Sequence, residues 1–454
     1  MPKTPPLHAA YAQSFHCIGS DCEDTCCQGW NVPIDQAAYE KYQNLPDSPL
    51  RTLIDANMLR SSEGATPAVF AQLRMNSEHQ CPLLTADRLC QIQAELGEEL
   101  LSHSCATYPR IINSIAGIQQ TALALSCPEA ARLVLLNPEL LTPEPLDSDQ
   151  ERTSETKAHA ESLDNTAGIE LPAFPLSLIS WFWPIRQLVL ALVRNRSYPL
   201  WQRLFLLSIF CRRLDEISSG ELAQSVPDFL GDFQAAVTSG TLRTGMEALP
   251  MDRAAQMDVV LRLAGMLLHR SNVRPRFVEC VNAFTTGIGN GPGATLESLT
   301  GSSALAHDRY YAPFFAQHPY ILENYLINSI LRLRFPFGKE DAQAGKPFSM
   351  ARECAQLTAQ FALMKGFLIG VAGFHREAFS AAHVVHTVQA SSKHFEHHPE
   401  FLNLAYELLV ESRMDGARGM AILLRNEEPK LPRPAAPEIH APAPREIPLS
   451  EAQY

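Results

Sequence analysis

From about residue 178 onward, apolar residues recur at the three- and four-residue spacing of helices that bury one face. The pattern predicts a helical hairpin, Leu178 to Arg194 and Leu200 to Ile217, turning through Ser197-Tyr198-Pro199. It predicts further helices over Met251 to His269, Tyr320 to Arg334, Met350 to Val371 and Pro399 to Ser412. The first 136 residues read differently. Asp35 is placed to cap a helix carrying Tyr39 and Tyr42 as core residues, and another helix is expected around Ala94 to Leu101. The run Ile111 to Ser126 breaks at Ala116-Gly117 and alternates through Thr121, Leu123 and Leu125, the pattern of one short β-hairpin. Ser126-Cys127-Pro128-Glu129 has the form of a capping box, opening a helix through Leu136.

The expected fold is mainly α: an N-terminal cysteine-rich metal-binding domain with a short β-hairpin, followed by a larger α-helical domain. Residues 137–171 carry nine acidic and two basic residues, with Pro, Ser and Thr and no apolar period, which reads as an acidic linker. On this division the cysteine-rich domain covers 1–136 and the helical domain 172–427. The stretch 428–454 holds seven prolines and reads as a disordered tail.

At 454 residues and 46% hydrophobic, the chain can build a large core. Its net charge of −12 speaks against nucleic-acid binding, which needs surplus Lys and Arg, and suits a basic partner such as a lysine-bearing surface. The apolar stretch Ser177 to Val193 is interrupted by Pro184 and Arg186, so a buried helix is expected there and no membrane span. The N-terminus, Met-Pro-Lys-Thr-Pro-Pro-Leu-His, lacks the apolar core of a signal peptide, which points to a reducing cytosol.

Three polar patterns ask for chemistry. Gly287-Ile-Gly289-Asn-Gly291-Pro-Gly293 has the glycine content of a nucleotide-binding turn, but without the preceding strand such a turn needs it reads as a loop. His383, His386, His394, His397 and His398 cluster without the acidic partner of zinc proteases, so core or exposed histidines are expected. Asn324, Asn328 and Arg332 recur every four residues and form one polar stripe on a mostly apolar helix. If buried, that stripe must be satisfied by a ligand or by protein partners.

The strongest chemical signal is cysteine. Cys17, Cys22, Cys26 and Cys27 fall within eleven residues, and Cys81, Cys90, Cys105 and Cys127 follow before residue 130. Disulfides need an oxidising compartment, whereas gathered thiols in a reducing one point to metal. Soft thiolates select zinc or an iron–sulfur cluster, each of which takes four. The gaps between Cys17, Cys22 and Cys26 are looser than the two-residue knuckle of zinc ribbons, which favours iron–sulfur with zinc as the alternative.

With these stretches in view the chain resembles the flagellin lysine-N-methylase family of bacteria. The resemblance rests on Cys17 to Trp30, Cys81-Pro-Leu-Leu with Cys90, Cys105-Ala-Thr-Tyr-Pro-Arg110 and Ser126-Cys127-Pro-Glu-Ala-Ala-Arg132. In the helical half it rests on Ile321-Leu-Glu-Asn-Tyr-Leu326 with Arg334-Phe-Pro-Phe337 and, more weakly, Ser392-Lys-His-Phe-Glu-His397. It implies S-adenosylmethionine-dependent methylation of flagellin lysines, with a 4Fe–4S cluster held by the N-terminal cysteines. A lysine amine must shed its proton before attacking a methyl sulfonium. Under the resemblance Glu323, Tyr310, Tyr311 and Tyr325 are candidates to take that proton or orient the amine, and Asn324 and Asn328 to hold the cofactor's amino-acid part or the lysine. The competing reading from another class is a non-catalytic, zinc- or iron-stapled binding module in flagellin handling.

Overall fold

The structure, a computed structural model, describes residues 10–30, 32–61, 65–115, 118–141, 181–218, 225–269, 273–338, 349–396 and 400–427. The expected tail, the expected linker beyond residue 141, and His397 and His398 lie outside the described residues. Among those described, 64% are helical and 7% lie in strands, which makes the chain mainly α.

Two sheets are present among the described residues. Strands β1 (Val32–Ile34), β2 (Met58–Arg60) and β3 (Ala71–Leu73) form an antiparallel sheet in the order β1-β3-β2, with Val32 and Met58 both opposite Leu73. Strands of three residues are too short to show alternation, so this sheet was not expected. Its Pro33 is tolerated because β1 is an edge. The expected hairpin pairs β4 (Arg110–Ile115) with β5 (Ile118–Leu123).

The helices that position the site are α1 (Pro128–Leu135), α2 (Phe182–Arg194), α3 (Leu200–Ser218), α4 (Arg253–Leu268), α5 (Pro275–Gly287), α6 (Tyr320–Arg332), α7 (Met350–His375) and α8 (Ala381–Phe395). Asp35 caps the helix Gln36–Gln43 as expected, one carboxylate oxygen accepting from the Ala38 amide at 2.9 Å. Two local readings are corrected. Cys127, and not Ser126, is the N-cap of α1; the Ser126 hydroxyl instead lies 3.1 Å from that of Tyr108, and Glu129 turns to Arg132. The helix expected to run to Leu101 stops at Leu96, because Gly97 takes φ +94°.

The periodicity also missed α5, α8 and the helices Val226–Ser239, Leu296–Ala306 and Ala417–Leu424. In α8 the cause is plain: Thr387, Gln389, Ser391, Ser392, Lys393 and His394 are all buried, so polar residues occupy the inward face and erase the amphipathic signal.

Helix α7 is the axis of the larger core. The segment Met350–Ala378 is long and apolar enough to cross a membrane, but 78% of its most apolar window is buried in the protein. Its N-terminus is fixed by Asp215 of α3, whose carboxylate accepts from the Met350 and Ala351 amides at 2.8 and 2.9 Å, where the helix dipole favours a negative charge. Helix α5 crosses it at backbone contact. A Cβ on Gly287 would lie 1.8 Å from the Gly370 carbonyl oxygen, so no other residue fits there.

The described residues form two hydrophobic cores. The small one holds Val32, Ile34, Tyr42, Ile54, Leu73, Cys81, Leu83 and Ile92. The large one takes in the helices and also Tyr11, Phe15, Leu123, Cys127 and Val134. The hairpin and α1 therefore pack with the helical part, and the change of core does not fall at residue 136.

Helix α6 joins these parts, and its expected polar stripe is buried. Glu323, on the adjoining face, accepts from Arg196 at 3.0 and 3.1 Å and from Arg203 of α3 at 2.8 Å. Asn324 donates to the carbonyls of Val134 and Asn137, at 2.9 and 2.6 Å. Asn328 accepts from the Tyr11 hydroxyl (2.8 Å) and the Leu123 amide (3.1 Å) and donates to the Leu123 carbonyl (2.8 Å). Replacing Asn328 by Leu keeps the branched shape but strands the Tyr11 hydroxyl and both Leu123 backbone groups. The expected cost is about 3 kcal/mol, measured as a fall in urea-unfolding stability.

Candidate functional site

The eight N-terminal thiols are free, and local hydrogen bonds set where each one points. In the first segment the Gly19 amide donates to Cys17 Sγ at 3.4 Å, and Cys22 Sγ donates to the Asp24 carbonyl at 3.0 Å. The following residues pair with 79–81: the Gly29 amide donates to the His79 carbonyl (2.7 Å) and the Cys81 amide to the Cys27 carbonyl (2.8 Å). Trp30 Nε1 donates to the Cys26 carbonyl at 2.7 Å. A bridge between Leu84 and Cys90 folds the next turn back on itself. Cys105 sits in the helix His103–Thr107, whose first amide is held by the second Asp35 oxygen at 2.7 Å. Cys127 heads α1.

The thiols feel one another. Burial raises Cys81 to about 12, Cys105 to about 11 and Cys127 to about 12, and negative charge on Cys26 adds to the rise in all three and in Cys90. Cys26 itself is pushed up first by its hydrogen bond with Cys27 and then by burial. Cys22 is raised mainly by burial, with a contribution from Cys17, and it acts in turn on Cys127. Cys26 thus acts on Cys81, Cys90, Cys105 and Cys127; Cys81 belongs to the small core and Cys127 to the large one.

Among the described residues, no three or more Cys, His, Asp or Glu side chains are spaced to ligate one metal ion. The expected convergence of four sulfurs on one centre is therefore not present. As a donor set the free thiols have the chemistry a soft metal requires; Cys81 and Cys127 are buried, while Cys17 and Cys26 are exposed. The other thiols stand apart: Cys211 and Cys354 neighbour each other inside the large core, and Cys280 is buried in α5.

Helix α8 presents charged side chains to this segment that sequence reasoning did not single out. Lys393 Nζ donates to Asp24 Oδ1 at 2.6 Å and to the Thr25 carbonyl at 2.7 Å. Gln389 donates to Asp24 Oδ2 (2.7 Å) and to the Ser126 carbonyl (2.9 Å), so it touches the residues beside Cys22 and Cys127 together. Arg276 of α5 lies 3.9 Å from Asp24, and Arg274 donates to the Gly29 carbonyl. The available signals were Asp24 inside the cysteine stretch and Lys393 inside a weakly resembling one.

The residues expected to handle the amine are spread out. Glu323, Asn324 and Asn328 are 4% exposed or less, and their polar atoms are engaged by the protein itself. Tyr325 accepts from Gln360 of α7 at 2.8 Å. Tyr310 and Tyr311 lie in a π-helical turn, His307–Tyr311; Tyr311 is buried against His307 and Phe315, while Tyr310 is half-buried under Arg309. His383 and His375 stack at 3.7 Å, His386 lies 3.6 Å from Glu279, and buried His394 holds the Leu267 carbonyl. Gly287 closes α5, and Ile288 to Gly293 forms the expected loop before the helix Leu296–Ala306.

A second polar region is a narrow cleft where α4 meets α7, lined by Arg253, Gln256, Thr300, Lys365 and Asn426. Burial lowers Lys365 from 10.5 to about 7. Between those values the unfolded chain holds the extra proton, so Lys365 makes stability rise as pH climbs from about 7 towards 10.5 and contributes no slope below about 7. Urea unfolding of Lys365→Met against the parent chain should show that rise flattened.

The sequence profile of the FliB lysine N-methylase C-terminal domain matches residues 186–423. A flagellar biosynthetic protein, FliU, of Salmonella muenchen is 32% identical over 133 residues, 29% of this chain and 78% of that protein. Lysine-N-methylases of Salmonella typhimurium and Salmonella choleraesuis are each 26% identical over 286 residues, 60% of this chain and 65% of theirs. No solved structure matches.

Proposed function

The chain belongs to the FliB lysine N-methylase family, a family of protein-lysine N-methyltransferases, and from that premise we propose that it methylates lysine side chains of a flagellar protein, namely flagellin. The methyl donor in this reading is S-adenosylmethionine. The lysine nitrogen lone pair forms the new C–N bond, the C–S electrons return to sulfur to give S-adenosylhomocysteine, and one proton leaves the amine. Net negative charge, −12 over the chain, suits a lysine-bearing substrate. The family match over residues 186–423 is the observation that carries this reading.

For the cysteines we propose a 4Fe–4S cluster, with zinc as the alternative metal. Support comes from eight free thiols, of which Cys81, Cys90, Cys105 and Cys127 each feel the charge of Cys26. The candidates to bind them are Cys17, Cys22, Cys26, Cys27, Cys81, Cys90, Cys105 and Cys127. Such a cluster supplies a Lewis-acidic or electron-accepting site when bound. Of the residues expected to handle the amine, Tyr310 is the one left half-buried with no hydrogen bond of its side chain to a neighbouring helix described, and it is the first to vary.

Protein purified anaerobically from iron-replete cells should be brown and should transfer label from S-adenosylmethionine to flagellin lysines, which mass spectrometry would locate. Cys26→Ser should lower bound metal and methyl transfer together. Stoichiometric zinc without iron would replace the cluster assignment, and metal-loaded protein that moves no label to flagellin would favour the non-catalytic binding module.

A further inference from the structure

Arg186 of α2 is enclosed by the protein, at 1% exposure, and a charge in that position is costly unless it is matched. Its partners are few. Nη1 donates to Gln120 Oε1 of β5 at 2.6 Å, and the guanidinium lies 4.9 Å from the centre of the Phe182 ring. Phe182 in turn packs on Phe337, with ring centres 5.0 Å apart. No carboxylate among the described residues offsets the charge. Burial alone acts on the guanidinium and lowers it to about 9, so it stays protonated near neutral pH.

The buried groups left over here are all donors. Nε and Nη2 of Arg186 meet no acceptor, and neither do Nε2 of Gln120, 3% exposed, and Nε1 of Trp183, one turn earlier on α2. Buried polar groups are normally satisfied. A water molecule answers this set poorly, because it brings no charge and two hydrogens that need acceptors of their own. Nε–H and Nη2–H lie side by side on one edge of the guanidinium, the fork that fits the two oxygens of a carboxylate. Gln120 Nε2 belongs to the amide already bonded to that guanidinium, so it adds a third donor next to it. Trp183 is half-buried, which puts the group one side chain in from the surface.

We propose that Arg186 and Gln120 form a binding site for a carboxylate, and that its occupant is the amino-acid carboxylate of S-adenosylmethionine. The identity of the occupant rests on the reading of the chain as a methyltransferase that uses this donor. Arg186 takes both carboxylate oxygens on its fork, Gln120 donates to one of them, and the buried charge is matched when the donor binds. Asn324 and Asn328, expected from the resemblance to hold this part of the cofactor, donate instead to backbone carbonyls of the protein.

The test compares the full-length parent with Gln120→Glu and with the double variant Arg186→Met/Gln120→Leu. Calorimetry measures binding of S-adenosylhomocysteine, which carries the carboxylate, and of methylthioadenosine, which lacks the amino-acid part. The double variant should bind S-adenosylhomocysteine about tenfold more weakly or worse, with methylthioadenosine unchanged. Without ligand it should resist urea at least as well as the parent, because the unmatched charge is gone; a purely structural arginine would give the opposite. Gln120→Glu supplies a carboxylate from within the chain, so it should stabilise the ligand-free protein and weaken S-adenosylhomocysteine in the same way. It also keeps the test decisive if the double variant fails to fold. Unchanged S-adenosylhomocysteine binding in the folded variants, or a parent that binds it no tighter than methylthioadenosine, would overturn the site while leaving the methyltransferase reading in place. A parent that binds neither compound and transfers no methyl group would reject that reading and the occupant with it. Urea unfolding in acetate against chloride then decides the carboxylate site itself: stabilisation of the parent that both variants lose supports it, and equal behaviour rejects it.

Discussion

A buried row of polar side chains on one helix holds this molecule together. From Ile321 to Arg332 every residue of α6 is buried, and Glu323, Asn324, Asn328 and Arg332 meet partners from five separate stretches of the chain. Glu323 takes two guanidiniums, Asn324 the end of α1, Asn328 the strand β5 and Tyr11, and Arg332 lies 3.4 Å from Glu396 beyond α8. Unpartnered polar groups in such a position would cost several kcal/mol each, so only one arrangement of these elements satisfies all of them. Apolar contacts alone would permit sliding. The asparagines fix the register of the hairpin against the helices.

That fixed docking also places the N-terminal thiols. They come from both cores: Cys81 belongs to the small one and Cys127 to the large one, and Cys26 acts on both. The α8 clamp of Lys393 and Gln389 adds a second tie from the helical part, near the cysteines themselves. A small displacement of α8 would therefore be felt at Cys22, Cys26 and Cys127 together.

The sequence by itself determined the mainly helical character, the helices α2, α3, α4, α6 and α7, the hairpin β4–β5, and the separation of eight N-terminal thiols from Cys211, Cys280 and Cys354. Each of these is written in local spacing: a helical apolar period, a break at a glycine, a density of cysteines. It did not determine the sheet β1-β3-β2, whose strands are too short to carry a period, or helix α8, whose inward face is polar. Nor could it say what the stripe Asn324, Asn328, Arg332 was for. An asparagine on a helix reads the same whether it meets water, a ligand or a strand amide, and only the packing of β5 and α1 against α6 selected the last. For the same reason Lys393 carried no mark beyond its place in the weakly resembling stretch Ser392 to His397. Its partner Asp24 is 369 residues away, and no local pattern records a contact that long-range packing creates.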